Sequence, residues 1–286
     1  MERLDLGPVP VADDPTTLVL GPSEALTCAR TAGVPLFRRC PPVHSILVGR
    51  CQFELDGSVA QSRVLAVPAN TPHTLHALFD EYACAAYLDA RRYSFEHVQR
   101  LAETWSGFVP GHDDLREAFG DALRLPQRRV DRRLLRALDA IQHERLRVVD
   151  AAARVGLSSS RLTHMMTEQL GAPPRKWAAW FKLTDAIAHS VFTGANLTRA
   201  AHEADFADSA HLTRTSKQLT GVRPAMMLPQ RVFVAPEGLR PSGRSFGSRV
   251  RQARRCRATL ADGQFQPDGG RFADSAHTAK IVGDPA

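Results

Sequence analysis

The sequence lacks the features that mark several large classes of protein. No apolar run approaches the ~20 residues that a membrane helix needs. The first ten residues lack the basic start and apolar stretch of a secretion signal, and neither GxGxxG nor a phosphate-loop sequence is present. We therefore expect a cytoplasmic protein that has no membrane partner and binds no nucleotide through these motifs.

Cysteine is also scarce. The five residues of this type lie far apart and form no CxxC pair, which argues against a disulfide framework and a four-cysteine zinc site. We expect free, mostly buried thiols at Cys28, Cys40, Cys51, Cys84 and Cys256. An apolar fraction of 43% over 286 residues is enough for packed cores, and this length favours about two domains.

Charge is distributed unevenly along the chain. Residues 1–127 contain 11 Lys+Arg and 16 Asp+Glu, a net charge of −5. Residues 128–230 contain 16 and 9, a net of +7, and residues 231–286 contain 10 and 5, a net of +5. An acidic first part joined to a basic second part predicts that the second part faces a nucleic acid.

Residues 15–90 have the pattern of β structure, with short apolar runs separated by turn-forming residues. The runs are Thr17–Leu20, Ser45–Val48, Cys51–Leu55, Val64–Val67 and Ala83–Leu88. Asp56 and Gly57 predict a tight hairpin, and the segment from Pro68 to Pro72 predicts a turn before a strand that begins at His73. Several short strands at this spacing indicate a small sandwich or barrel.

From about residue 92 the apolar spacing becomes helical. It holds at Phe95, Val98, Leu101, Ala102 and Trp105, and again at Leu115, Phe119, Ala122 and Leu123. The aromatic residues Phe95, Trp105 and Phe119 have two alternative roles, a face that pairs two copies of the protein or docking onto the β domain. A short linker follows at Pro126.

Residues 130–228 are almost entirely helical in pattern. One apolar stripe comprises Leu134, Leu135, Leu138 and Ile141, and a long helix begins near Pro173 and Pro174 and ends at Gly194. A helix-turn-helix unit precedes this long helix. Ala152 is small enough for the crossing of its two helices, Gly156 suits the turn, and Ser158 or Ser159 caps the second helix.

The same pattern recurs after the long helix. Ala201 takes the place of Ala152, Asp205 that of Gly156, and both pairs are 49 residues apart, which indicates an internal duplication. Asp is one of the few non-glycine residues that adopt the left-handed turn conformation readily. Asp208 can then cap the second recognition helix.

This segment resembles the C-terminal DNA-binding domain of the AraC/XylS family of bacterial transcription regulators. Residues 206–217 with 221–224 follow the family's second-unit signature, and residues 181–186 are similar to its linker-helix motif. The family usually has Phe where this chain has Ser216, and Gly where it has Asp205. Because a missing core aromatic typically costs several kcal/mol, we expect the second unit to be less stable or to dock less firmly than the first.

The resemblance implies that two recognition helices enter successive faces of the major groove, about 34 Å apart. The side chains expected to contact bases are Ser160, Arg161, His164, Ser209, His211 and Arg214. Those expected to hold phosphates are Arg175, Lys176, Lys217 and Arg223. Arg214 suits a two-pronged contact to guanine. Outside a paired motif each of these would more often be a solvated surface group, which remains the interpretation for His202.

Residues 64–76 resemble the second motif of cupin barrels, which AraC-type regulators often carry as a ligand-sensing and dimerisation module. The HxH pair that holds the metal of cupin enzymes is absent, and His73 and His76, three apart on a strand, point to opposite faces. We therefore expect no metal and no other cofactor. His44 and His73 are the candidates for an effector pocket.

The predicted fold class is α+β: a small N-terminal cupin-like β-barrel with helices, and an all-α C-terminal domain of two helix-turn-helix units joined by a long helix. The predicted domains are a sensor barrel over residues 1–90, a helical dimerisation and linker segment over 91–127, the DNA-binding domain over 128–230, and a basic, disordered tail over 231–286.

These patterns predict a sequence-specific DNA-binding transcription regulator, not an enzyme, that is controlled by a small-molecule effector in the barrel. Its partners would be promoter or operator DNA and the effector, with a second copy of the chain and RNA polymerase as further candidates. Two alternatives stay open, a metal-dependent cupin enzyme with a helical appendage and an effector-free architectural DNA-binding protein.

Overall fold

The computed structural model describes residues 17–20, 24–30, 38–107, 121–122, 124–228, 231–234 and 280–281. Strands fill the N-terminal part and helices the C-terminal part, so the predicted α+β class is confirmed. No helix in these ranges combines the length and the apolar character that crossing a membrane requires.

The described strands form one sheet. Their bounds are β1 Thr17–Leu20, β2 Glu24–Arg30, β3 Arg38–Arg39, β4 His44–Leu55, β5 Ser58–Val67, β6 His73–Leu78, β7 Tyr82–Leu88, β8 Arg231–Val234 and β9 Lys280–Ile281. The strand order is β3-β6-β4-β7-β2-β1-β8-β9, and β5 also pairs with β4. The pairs among β1 to β7 are antiparallel.

The long strand β4 organises this sheet. Its first half pairs with β5 and β7, and its second half pairs with β5 and β6, with a register shift after Val48. Gly49 lies at the shift with φ +132°, a conformation that few other residues adopt. The sequence predicted two separate runs here, and the structure joins them into one bulged strand.

The predicted turns are confirmed. Asp56 and Gly57 both have positive φ and join β4 to β5 directly, as a type I′ hairpin requires. Asn70, with φ +61°, lies in the turn between β5 and β6, and His73 begins β6.

A helix covers one face of the sheet. Helix α1, Phe95–Thr104, begins at the Ser94 cap and runs into a 3₁₀ turn, Trp105–Gly107. Its buried face shares a core with Ile46, Val48 and Leu88 of the sheet. Trp105 is part of that core, which favours docking onto the β domain over a dimer face; Phe119 lies outside the described residues.

The C-terminal helices are α2 Arg132–His143, α3 Val148–Arg154, α4 Ser159–Leu170, α5 Pro174–Thr193, α6 Leu197–Glu203 and α7 Ser209–Thr220, followed by a 3₁₀ turn, Pro224–Met227. Pro174 occupies the first turn of α5, and Gly194 ends it with φ +68°, as predicted. The apolar stripe of α2 is narrower than predicted, because Leu135 points to solvent and is 37% exposed.

The β domain and the first helix-turn-helix unit share one hydrophobic core. Val43, Ala69 and Ala90 of the β domain pack in the same cluster as Trp177 and Phe181 of α5. Arg91 covers this junction: its guanidinium lies 5.6 Å from the Trp177 ring and 5.2 Å from the Phe181 ring, and it donates to Asp89 and to Gln142 of α2.

The second unit touches the β domain at one edge. The backbone N–H of Cys40, directly after β3, donates to the carbonyl of Leu219 near the end of α7 at 3.1 Å. The second unit otherwise has its own core around Leu183, Ala201 and Leu212. The two helix-turn-helix units are therefore joined to the β domain in different ways. The first shares a hydrophobic core with it, and the second is bonded to it through the backbone of Cys40.

The C-terminal segment differs from the prediction in two places. Arg231–Val234 forms β8, parallel to β1, and Lys280–Ile281 forms β9. These six residues are strands, whereas the prediction for the segment was disorder; the Val-Phe-Val run at 232–234 has a strong preference for strands. The remaining residues of that segment lie outside the described ranges.

Gly171→Ala tests the contact between the β domain and α4. A Cβ at Gly171, which has φ +74°, would lie 3.2 Å from both the Cβ and the carbonyl oxygen of Ala69. Gly156 has a similar φ of +69° but no atom within 4 Å of a Cβ. Both substitutions strain a left-handed residue by about 1–2 kcal/mol, and only Gly171→Ala displaces the β domain as well.

We therefore expect Gly171→Ala to lower the free energy of unfolding more than Gly156→Ala, and to speed proteolysis between the β domain and the helices. Denaturant titration and limited proteolysis of the full chain check this. Equal losses in the two variants would show that the Ala69 contact does not hold the domains together.

Candidate nucleic-acid interface

The first helix-turn-helix unit has the predicted local structure. Ala152 of α3 is buried at the crossing with α4, and Gly156 adopts the left-handed conformation in the turn. The Ser158 hydroxyl caps α4 by accepting from the backbone N–H of Arg161 at 3.1 Å. The turn at Gly156 and the cap at Ser158 fix where α4 begins and which residues lie on its outer face.

The second unit repeats this arrangement with one extra residue in its turn. Ala201 is buried at the crossing, Asp205 has φ +59°, and the Asp208 carboxylate caps α7 by accepting from the N–H of His211. Helices α3 and α6 begin 49 residues apart, but α4 and α7 begin 50 residues apart. The predicted 49-residue offset therefore holds up to the turn and becomes 50 in the recognition helices.

This offset makes the outer faces of α4 and α7 comparable residue by residue. Arg161 corresponds to His211, and His164 corresponds to Arg214. All four side chains are exposed, as is Ser160, whereas Ser209 is half-buried. Each recognition helix thus presents one arginine and one histidine, one turn apart, in opposite order.

The neighbours of the two histidines differ. His211 lies edge-on to the Phe206 ring, with 5.2 Å between ring centroids, so its orientation is fixed by the turn before α7. His164 has Glu168 one turn further on, at 3.8 Å. Glu168, which the sequence reasoning did not single out, is exposed on the same helix and adds an acceptor suited to a cytosine amino group.

Three of the four predicted phosphate contacts are exposed, and one is not available. Arg175, Lys217 and Arg223 have exposed side chains. Lys176 instead lies between the domains, where its Nζ is 2.5 Å from the Asn70 Oδ1 and 2.8 Å from the Cys40 Sγ. A phosphate contact by Lys176 would require this part of the domain junction to open.

An ion-pair cluster that sequence reasoning missed holds the second turn against α5. Arg145 donates to Asp185 of α5 at 2.9 Å and lies 3.2 Å from the Asp205 carboxylate. Lys182 of α5 donates to the Asp205 carbonyl at 2.9 Å. Aspartate at this turn therefore gives the second unit a contact that glycine could not make.

Methionine occupies the space near the missing aromatic residue. Ser216 is fully buried, and its hydroxyl donates to the Val222 carbonyl at 2.7 Å, so no polar group is left unpaired there. The Met227 Sδ lies 3.4 Å from the Ser216 Oγ and 3.8 Å from the Thr220 Oγ1. Met227 also packs against the second core, which offsets part of the loss expected from Ser216.

The β domain contains a small cavity of about 10 Å³, which has room for about one water molecule. It is lined by Arg39, Ser45, Ile46, Leu47, Leu65, Val67, His73, Leu75, Ala85 and Tyr87. His73 is thus at the cavity, as predicted. Arg39, Ser45 and Tyr87 were not anticipated, because only strand pairing brings them beside His73.

His44 does not line this cavity. It precedes Ser45 on β4, so its side chain points to the opposite face, where its ring lies 5.5 Å from that of Phe95. Its Nδ1 accepts from the N–H of Ala69 at 3.0 Å. His44 therefore belongs to the packing between β4 and α1 and not to the lining of this cavity, so only His73 of the two predicted pocket histidines lies there.

Burial keeps both histidines neutral. It lowers the pKa of His73 to about 4, and the charge of Arg39 acts in the same direction. It also lowers the pKa of His44 to about 4. His76 is separate from both, because it faces Glu54 at 3.2 Å, and within the described ranges no three His, Cys, Asp or Glu side chains converge as metal ligands would.

Met227→Ala should destabilise the second helix-turn-helix unit. Removing the side chain that packs beside Ser216 and Thr220 leaves a cavity, and we expect a loss of about 1–3 kcal/mol because Met227 is only half-buried. Met226→Ala is the matched control, since Met226 is 43% exposed. Denaturant unfolding of both variants checks this, and equal stabilities would show that Met227 does not replace the aromatic residue.

Stability should fall as the solution becomes acidic. The folded-state pKa of His44 and His73 lies below the ordinary 6.5, so the unfolded chain binds more protons between these values. The contribution of these two histidines to the free energy of unfolding is complete above pH 6.5 and is lost as the pH falls towards 4. We expect His73→Gln to flatten the fall in unfolding free energy and His202→Gln, at an exposed position, to leave it unchanged; identical profiles for all three proteins would contradict this.

One family model matches the helical, C-terminal part of the chain. Residues 151–228 match a family model described as a helix-turn-helix domain, and no curated protein matches the chain by sequence. Among solved structures, ToxT from Vibrio cholerae is 11% identical with a TM-score of 0.47, covering 72% of this chain and 98% of that one.

Two further solved structures show the range of the likeness. Unsaturated fatty acid-bound ToxT from Vibrio cholerae strain SCE256 is 12% identical, covering 73% of this chain and 95% of that one, with a TM-score of 0.45. A putative mannose-6-phosphate isomerase from Ralstonia eutropha is 18% identical, covering 31% and 97%, with a TM-score of 0.21. The family match covers residues 151–228, which form the helix-turn-helix part of the chain.

Proposed function

We propose that this protein is a cytoplasmic, sequence-specific DNA-binding transcription regulator controlled by a small molecule that binds its β domain. The observation that carries the DNA-binding part is the pair of recognition helices with equivalent exposed arginine and histidine positions, Arg161 with His164 and His211 with Arg214. Arginine at such positions makes two-pronged contacts to guanine. A net charge of +7 over residues 128–230 supports the phosphate contacts.

The helix that joins the two units has a length comparable to one turn of the double helix. Helix α5 has 20 residues and is therefore about 30 Å long. Successive faces of the major groove lie about 34 Å apart. A stiff helix of comparable length, packed against both units, supports simultaneous contact of α4 and α7 with two half-sites.

Control by a small molecule is supported by the walls of the cavity. Tyr87 lines it and also packs against Trp180 of α5, with 6.0 Å between ring centroids. Arg39 lines it and directly precedes Cys40, whose N–H is bonded to the end of α7. A ligand that favours one position of these two residues would favour one position of the DNA-binding helices.

Selection of binding sites from random duplex DNA by the full-length protein, at two salt concentrations, tests the proposal. We expect a split motif with two halves about 10 bp apart and an affinity that survives ~150 mM salt. One half-site alone would show that only one unit contacts bases. Uniform affinity with only a salt slope would favour an architectural protein, and stoichiometric Fe, Mn or Zn in the purified protein would favour an enzyme.

Arg161→Ala and Arg214→Ala should each relax the preference at one position in a different half-site. We expect each to weaken specific binding by ~1–3 kcal/mol, because a two-pronged contact to a base is lost. His202→Ala is the control, since His202 is exposed on α6 outside the recognition helices. An arginine variant that keeps the wild-type site preference and affinity would show that this residue does not contact a base.

A further inference from the structure

The burial pattern of α4 is repeated on α7, fifty residues further along the chain. From Ser159 to Glu168 the order of exposed, half-buried and buried side chains is the same as from Ser209 to Gln218. Each helix also begins at a capping side chain that accepts from the backbone N–H three residues further on, at Arg161 in α4 and at His211 in α7. Each residue on the outer face of one helix therefore has one counterpart on the other.

Arginine occupies different positions on these two outer faces. Arg161 and His164 are the third and sixth residues of α4, whereas His211 and Arg214 are the third and sixth residues of α7. All four side chains are exposed. The N-terminal residues of a recognition helix are the ones that contact base edges in the major groove. The two helices therefore present arginine to DNA at different distances from their N-terminal ends.

The difference between the two positions corresponds to about one base pair. Three residues of an α-helix rise about 4.5 Å, and successive base pairs of B-DNA are about 3.4 Å apart. Arginine makes a two-pronged contact to guanine, whereas a neutral imidazole ring has one N–H to donate. The guanine that each helix selects most strongly should therefore lie at a different place in each half-site.

The histidines do not restore the equivalence of the two faces. The His211 ring is fixed edge-on against Phe206, with 5.2 Å between ring centroids, whereas the His164 ring lies 3.8 Å from the Glu168 carboxylate. The counterpart of Glu168 on α7 is the uncharged Gln218. A carboxylate suits a cytosine amino group, and an amide suits adenine. The two helices therefore differ in their chemistry as well as in the order of arginine and histidine.

We propose that the protein binds an asymmetric DNA site in one orientation, with two half-sites of different sequence. Measured from the N-terminal end of each recognition helix, the guanine selected by Arg214 lies about one base pair further along its half-site than the guanine selected by Arg161. This inference rests on the proposed function, because it requires both units to contact bases. It adds a direction to the DNA site, which a duplicated domain with two identical outer faces would not have.

Exchanging the two residues of α4 tests this assignment. The double variant Arg161→His with His164→Arg keeps the composition and charge of the chain, and both positions are exposed. We therefore expect unchanged folding by circular dichroism and an unchanged salt-dependent affinity for random-sequence DNA. Selection of sites from random duplex DNA by the full-length variant should move the preferred guanine of the α4 half-site by about one base pair. The α7 half-site should stay as in the wild type.

Glu168→Gln is the matched control. It gives α4 another exposed residue of α7 without moving the arginine, so the preferred guanine should stay in place whatever happens at other bases. Binding to single duplexes measures the exchange directly. The exchanged variant should bind the duplex with the moved guanine at least about tenfold more tightly than the wild-type duplex, and the control should keep the wild-type order.

The result of the selection distinguishes failure of this inference from failure of the proposed function. Two half-sites that are direct or inverted copies of one sequence, or a guanine that stays in place in the exchanged variant, would overturn the inference and leave sequence-specific DNA binding intact. A motif with one half-site only would do the same. The absence of any enriched motif would overturn the proposed function and the inference together.

Discussion

The arrangement of the protein depends on helix α5 being buried on several sides at once. Its first half contributes Trp177 and Phe181 to a core shared with the β domain, and its second half contributes Ala186 and Ile187 to the core of the second unit. A helix that is apolar over more than one face is stable only inside such packing. Because one rigid element belongs to both cores, neither helix-turn-helix unit can reorient without disturbing the packing around α5.

The internal duplication shows how two similar units acquired different constraints. The one-residue insertion before α7 keeps the burial pattern of α4, with Leu162 and Leu212 at the same place. The turn of the second unit is held by the ion pair between Arg145 and the Asp205 carboxylate, which glycine could not make, and by a hydrogen bond from Lys182 to the Asp205 backbone carbonyl. The Met227 side chain stands beside the position of the usual aromatic residue. At Asp205 and at Ser216, the two positions that differ from the pattern the sequence resembles, the second unit therefore has a specific contact.

Local chemistry could be predicted from the sequence, and tertiary placement could not. Caps and turns such as Ser158, Asp208 and Gly194 depend on the residue and its near neighbours, so their interpretation was confirmed. Lys176 was expected at a phosphate, but its position is set by Asn70, 106 residues away along the chain. The face of His44 followed from β4 beginning at His44, one residue before the predicted run, so that its side chain alternates with that of Ser45.

The position of Lys176 bears on how the two halves of the protein affect each other. Its ammonium cannot bind Asn70 and a DNA phosphate at the same time, so any state in which it contacts DNA lacks this interdomain hydrogen bond. Coupling between two sites is reciprocal in free energy. Whatever stabilises the junction of β3, Asn70 and Lys176 must therefore weaken a DNA complex that uses Lys176, and DNA bound in that way must loosen the junction by the same amount. The cavity lies against this junction through Arg39, which is adjacent to Cys40 in the chain and to His73 in the sheet.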